Sequence, residues 1–164
     1  MAGWDPSIFV VNQKHVGRRW LLLEGCIRVN MFECCVGVIY GPNDRVGRNL
    51  LFEELKDVVN SINKPVLLLG DFNTILNPCE RVGPFRCDLS MREFSYWNHD
   101  LGLIDIPLHG IRFTWRRNES KSKIDRGFCC SSWFTKFPNM ILKGQKRSVS
   151  DHNPLILSLD NLNN

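Results

Sequence analysis

No apolar run in this chain approaches the roughly 20 residues that a bilayer-spanning helix needs. The longest, Val36–Tyr40 and Val66–Leu69, have the length of strands. The first residues, Met-Ala-Gly-Trp-Asp-Pro, lack both the basic and the apolar stretch of a secretory signal, which predicts an intracellular protein, nuclear or cytoplasmic, and not a secreted one. No CxxC pair occurs. The cysteines number seven (Cys26, Cys34, Cys35, Cys79, Cys87, Cys129, Cys130), and with an odd count and no secretion signal a disulfide framework is not expected. Structural zinc is not expected at these spacings either, so the thiols read as small buried hydrophobes. There is no internal repeat, no low-complexity segment and no dense basic cluster of the nuclear-import kind, Lys143–Arg147 being too sparse.

What is present suits one domain over residues 1–164: 43% apolar and 23% charged residues, with 10 Phe and 5 Trp to build a core. The net charge of +4 is unevenly spread. Residues 111–150 hold ten Lys/Arg against Glu119 and Asp125, a window of +8, and the rest of the chain is at −4. A basic C-terminal third suits a polyanion such as nucleic acid, or is a solvated face.

Short strands are predicted at Ser7–Val11 and Trp20–Leu23, and a longer one at Met31–Tyr40, closed by the turn residues Gly41-Pro42-Asn43-Asp44. Leu51, Leu55, Val58, Val59 and Ile62 recur at helical spacing, with Glu53, Glu54, Lys56 and Asp57 opposite and Pro65 beyond the end. Val66–Leu69 lacks alternation, as a strand buried on both faces does. Residues 76–88 read as loop. Ser90–Leu101 reads as a helix with Ser90 and Glu93 as a capping box. Further strands are predicted at Leu103–Ile106, Arg112–Arg116, Ile124–Cys130 and Asn153–Leu159. Interleaved strands and helices, with few tight hairpin signals, give an α/β class with mixed sheets.

Carboxylates stand at the ends of apolar runs three times: Asp71 with Asn73 after Val66–Leu69, Asp125 beside Ile124, and Asp151-His152 before Pro154–Leu159. Buried strands that deliver polar side chains at their ends are how α/β folds build sites. In chain order the motifs are Ile39-Tyr40-Gly41-Pro42, Gly70-Asp71-Phe72-Asn73, Lys123-Ile124-Asp125-Arg126 and Ser150-Asp151-His152-Asn153-Pro154. This set resembles the endonuclease/exonuclease/phosphatase superfamily. Met91-Arg92-Glu93-Phe94, Leu103–Gly110 and Arg112-Phe113-Thr114-Trp115 are similar to the endonuclease domain of plant LINE-type (non-LTR) retrotransposons, and the resemblance covers about residues 4 to 159.

The resemblance implies a four-layer sandwich of two mixed β-sheets flanked by helices, and a metal-dependent phosphodiesterase or endonuclease acting on nucleic acid, with DNA as its partner, Mg²⁺ or Mn²⁺ as its cofactor and no membrane. By it, Asp71 activates the attacking water, Asn73 and Tyr40 contact the phosphate, His152 bonds the scissile phosphate, and Asp125 holds the imidazole. Asp151 lies near the metal. Trp115, Arg116 and Arg126 bind substrate, Trp115 by stacking on a base or else by packing in the core. His15, His99 and His109 are given no role. The family pattern opens with two further motifs, ending in Asn and in the Glu that is the principal metal ligand. Trp4-Asp5-Pro6 matches the family segment just after those two motifs, with only Met1, Ala2 and Gly3 before it. The resemblance is thus to an N-terminally truncated domain without its first strands, weakly active or inactive, which folds poorly alone or pairs with a second copy as a homodimer through an exposed sheet edge. Glu24 and Glu33 are near in sequence but occupy neither motif. Two other readings stand beside this one: a non-catalytic nucleic-acid-binding remnant, and a phosphatase for a small phosphorylated ligand.

Overall fold

The computed structural model describes residues 5–83 and 89–159. Trp4 and Cys87, singled out in the sequence, and part of the expected loop 76–88 lie outside them.

A six-stranded sheet is the frame. It contains β1 (Phe9–Val16), β2 (Trp20–Ile27), β3 (Phe32–Tyr40), β4 (Val66–Asp71), β6 (Ile104–Asp105) and β10 (Asp125–Cys129), in the order β1-β2-β3-β4-β10-β6. Only β3 and β4 run parallel, because α1 (Arg45–Ser61) carries the chain back between them. Asp44 starts that helix by accepting from the backbone N–H of Gly47 at 2.6 Å, the use to which the turn after β3 is put. A second mixed sheet has the order β12 (Leu155–Ser158), β11 (Ile141–Gly144), β7 (Leu108–His109). A third, small sheet joins β5 (Arg81–Val82) to the hairpin of β8 (Trp115–Arg117) and β9 (Ser120–Ser122).

Two cores lie on the two faces of the large sheet. Against the first face, α1 and α2 (Leu89–Asp100) bury Leu51, Phe52, Leu55, Phe94 and Trp97 onto Leu22, Leu68, Phe72 and Phe128. Against the second face, α3 (Ser131–Lys136) and the second sheet bury Trp133, Phe137, Met140 and Leu142 onto Leu23, Leu67 and Cys129. The doublet Cys34-Cys35 shows the alternation: both are fully buried, Cys34 in the second core and Cys35 in the first. All cysteines among the described residues are free thiols, and burial pushes those of Cys34, Cys35 and Cys129 up to about 12.

Several predicted elements shift. The strands expected at Ser7–Val11 and Trp20–Leu23 continue into a long hairpin. The polar run Asn12–His15 hides this, because it lies on an edge strand that meets solvent. Ser90 is not a cap. It lies inside α2, fully buried, its Oγ accepting from Arg48 Nε at 3.0 Å and donating to Thr74 Oγ1 at 3.3 Å. Glu93 pairs with Arg45 on α1 instead of closing a capping box. Of Arg112–Arg116 only the end is a strand, and α3 and β11 carry no sequence signal.

Candidate active site

Register assembles the site. Tyr40 stands beside Asp71 in the parallel pair, and Asp71 beside Asp125 in the antiparallel pair, so the three form one row across β3, β4 and β10. The row beneath it is Val38–Leu69–Gly127. Both rows lie on the second face, since their neighbours Ile39 and Leu68 point into the first core. Gly70, at φ 145°, lets β4 lie against β3 there: a Cβ would stand 2.0 Å from the carbonyl oxygen of Ile39.

His152 reaches the row from the segment before β12. Its Nδ1 lies 3.0 and 3.1 Å from the two carboxylate oxygens of Asp125, and its backbone bridges to Trp115. Ligand atoms of Asp71, Asp125 and His152 all lie within 4.8 Å of one another. Thr114, fully buried, joins the pieces. Its Oγ1 accepts from the backbone N–H of Ile124 and of Asp125, each at 3.0 Å, and its carbonyl accepts from Asn153 N–H at 2.7 Å. The cleft above the row encloses about 580 Å³ and is lined among others by Tyr40, Asn43, Asn73, Trp115 and Arg117.

The electrostatics reflect burial. Asp71 is 9% exposed, and burial together with the facing Asp125 carboxylate raises its pKa to about 6, against the lowering pull of the Asn73 N–H and of His152. Burial also raises Asp125, opposed by Thr114 and His152.

The site residues expected from sequence divide. Asp71, Asn73, Asp125, His152 and Tyr40 come together; Tyr40 is 58% exposed, with the Arg19 guanidinium 5.2 Å over its ring. Asp151 lines the same cleft but is not one of the three convergent donors; its Oδ2 accepts from the indole N–H of Trp115 at 2.9 Å. Trp115 is half-buried on the cleft wall and so anchors Asp151. Arg116 does not line the cleft. Side chains alternate on β8, so Trp115 and Arg117 face it, and Arg116 lies in a neighbouring hollow with Lys146 and Arg147.

Arg126 cannot bind substrate. It is 0% exposed, with one guanidinium nitrogen 2.7 Å from Asp105 and the other on Glu80. Next to Asp125 in sequence, it points the opposite way from it. Glu24 and Glu33 lie elsewhere: both pair with Lys64, and Glu24 also bonds His15 at 2.7 Å. Sequence reasoning gives no role to Asn43 or Thr114. Asn43 stands among turn residues, and nothing in a lone Thr foretells a buried hub.

No protein-family model and no curated protein matches the chain. Solved structures do match it in fold. One is the endonuclease domain of TRAS1, a telomere-specific non-LTR retrotransposon, at TM-score 0.68 and 18% identity, over 86% of this chain and 61% of that one. A second is an endonuclease/exonuclease/phosphatase family protein from Bacteroides thetaiotaomicron, at TM-score 0.55 and 16% identity, over 90% and 62%. A third is the mannosyl-6-phosphatase Bt3783 of the same bacterium, at TM-score 0.54 and 17% identity, over 93% and 67%. The chain thus spans about three fifths of the first two. Among the described residues no helix is long and apolar enough to cross a membrane. The α/β fold with its two mixed sheets is thus shared with these solved structures.

Proposed function

We propose that this chain is a metal-dependent phosphodiesterase module of the retrotransposon-endonuclease type, acting on DNA. The observation that carries the reading is the convergence of Asp71, Asp125 and His152 at one end of a buried sheet. Hydrolysis of a phosphodiester needs a water to be deprotonated and negative charge on the phosphate to be met. Asp71, with a pKa near 6, is ionised at neutral pH and basic enough to accept a proton from water. Asp125 accepts from Nδ1–H of His152, which holds the imidazole in a fixed orientation beside Asp71. Tyr40 and Arg117 stand on the cleft walls, where they reach the flanking strand.

The donor set fits a hard divalent cation, Mg²⁺ or Mn²⁺. Asp71 offers carboxylate oxygen, Asn73 lines the same cleft with a carboxamide, and exposed Asp151 stands at its rim. Bound there, such an ion supplies charge neutralisation at the phosphate oxygens.

The test is plasmid nicking by the 164-residue chain with Mg²⁺ and with EDTA, beside Asp71→Ala and His152→Ala. The reading expects Mg²⁺-dependent nicking that each variant lowers by about 100-fold or more. Nicking that both variants retain would overturn it. Binding of DNA with a steep salt dependence but no nicking by any of the three proteins would leave the second reading, a nucleic-acid-binding remnant. That reading rests on the exposed cations Arg116, Arg117, Lys146 and Arg147 around the cleft.

A homodimer also belongs to this proposal. Among the described residues β12 pairs on one side only, with β11, and its other edge, Leu155-Ile156-Leu157-Ser158, carries no charge. Sedimentation velocity is expected to show two copies, and a monomer at all concentrations would refute the pairing.

A further inference from the structure

Asn73 is hydrogen-bonded in a way that decides what it can offer a ligand. Its Nδ2 donates to the carbonyl oxygen of Gly41 at 3.1 Å and to Oδ1 of Asn43 at 2.7 Å. A carboxamide nitrogen has two hydrogens, and both are used. The orientation is not free to reverse, because the Gly41 carbonyl can only accept, so Nδ2 and not Oδ1 must face it. The backbone is fixed too. Asn73 sits at φ 55°, and its N–H donates to Asp71 Oδ1 at 2.8 Å. No donor among the described residues bonds the remaining Oδ1, and the residue lines the cleft beside Asp71 and His152.

Asn43 is in turn held from below. Arg48, 6% exposed, donates Nη1 to the carbonyls of Asn43 at 2.7 Å and Pro42 at 3.1 Å, and Nε to Ser90 on α2. Both helices thereby fix the turn that carries Asn43.

We infer that Asn43 is a positioning residue that locks Asn73 with its carboxamide oxygen outward, so that Asn73 is a ligand for a divalent cation and not a donor to a phosphate oxygen. This rests on the metal-dependent reading above and changes the part that Asn73 plays in it. The cleft then presents acceptor oxygens from Asp71 and Asn73, with the Asp125-bonded His152 converging on Asp71.

The test uses the full 164-residue chain, with MnCl₂ alone as one probe and inorganic phosphate alone as the other. Mn²⁺ binding is read by water-proton relaxation, and the two side-chain amide protons of Asn73 by ¹⁵N-resolved NMR. In the parent protein both amide protons are expected to be slow to exchange and to broaden with Mn²⁺. Asn43→Leu is expected to free one of them and to weaken Mn²⁺ binding by about tenfold, with Tm almost unmoved because Asn43 is exposed. Asn43→Asp, which keeps an acceptor for Nδ2, is expected to keep both protons protected. Unchanged Mn²⁺ affinity in Asn43→Leu, whether or not Tm falls, overturns the positioning role. Asn73 amide protons that shift with phosphate and ignore Mn²⁺ overturn the acceptor assignment, yet leave the phosphodiesterase reading to be decided by nicking. A parent protein that binds no Mn²⁺, together with nicking that ignores Mg²⁺, removes both.

Discussion

The two faces of the large sheet are covered very differently. On the first, Phe52, Phe72, Phe94, Trp97 and Phe128 form a continuous aromatic cluster, with ring centroids 5.1 to 6.2 Å apart and every member buried. On the second, the core around Trp133 and Leu142 is equally dry, but toward the site the cover thins: Val38 is 47% exposed, and Leu69, Leu155 and Leu157 are only half-buried. Stability and chemistry are thereby kept apart. The closed face holds the sheet in register. The open face carries the polar row Tyr40–Asp71–Asp125.

Three substitutions probe this division. Phe128→Ala removes a ring that packs edge-on against Phe72, Phe94 and Trp97, and is expected to cost about 3–5 kcal/mol, read from the denaturation midpoint at unchanged slope. Asp71→Asn is expected to move the other way. The folded state raises this carboxyl to about 6 from an ordinary 3.8, so between those values the native protein holds the proton more tightly and stability falls as pH rises. Above pH 6, in EDTA, the ionised carboxylate opposes folding by about 2–3 kcal/mol. The Asn variant should therefore be more stable than its parent at about pH 8 and equal to it at about pH 4. Thermal melts at the two pH values check the sign, and a variant less stable at the higher pH would show that the row is not strained by its charge. Leu157→Ala, on the thinly covered part of the second face, is expected to cost about 1 kcal/mol. A loss as large as that of Phe128→Ala would mean that the two faces are equally closed.

Much of this is legible in the sequence. The helix α1, the two-sided burial of Val66–Leu69 and the delivery of Asp71 at its end are given by periodicity and by where apolar runs stop. The ordered motifs point to a superfamily whose solved structures share this fold. What stays hidden is geometry across strands. Nothing local says that Asp125 stands opposite Asp71, since register is set by the packing of distant segments. Arg126 misleads because a basic residue next to a site carboxylate looks available, whereas alternation sends it inward to Glu80 and Asp105. Arg116 misleads by the same alternation. Ser90 looks like a cap because its spacing to Glu93 fits one, but the helix begins before it and the hydroxyl is used between the helices.

The polar row has a kinetic side. Residues 71, 125 and 152 meet only after two long stretches of chain have closed, and each closure spends entropy before its contacts repay it. The α1 crossover, by contrast, joins β3 to β4 through one helix that forms locally. Docking of β10 brings Phe128 into the aromatic cluster and Asp125 beside Asp71 in one step, so His152, carried by a later segment, is expected to join the acidic pair last. A refolding chain becomes compact and aromatic-packed before it becomes competent to hold an ion, so recovery of Mn²⁺ binding should lag recovery of tryptophan fluorescence.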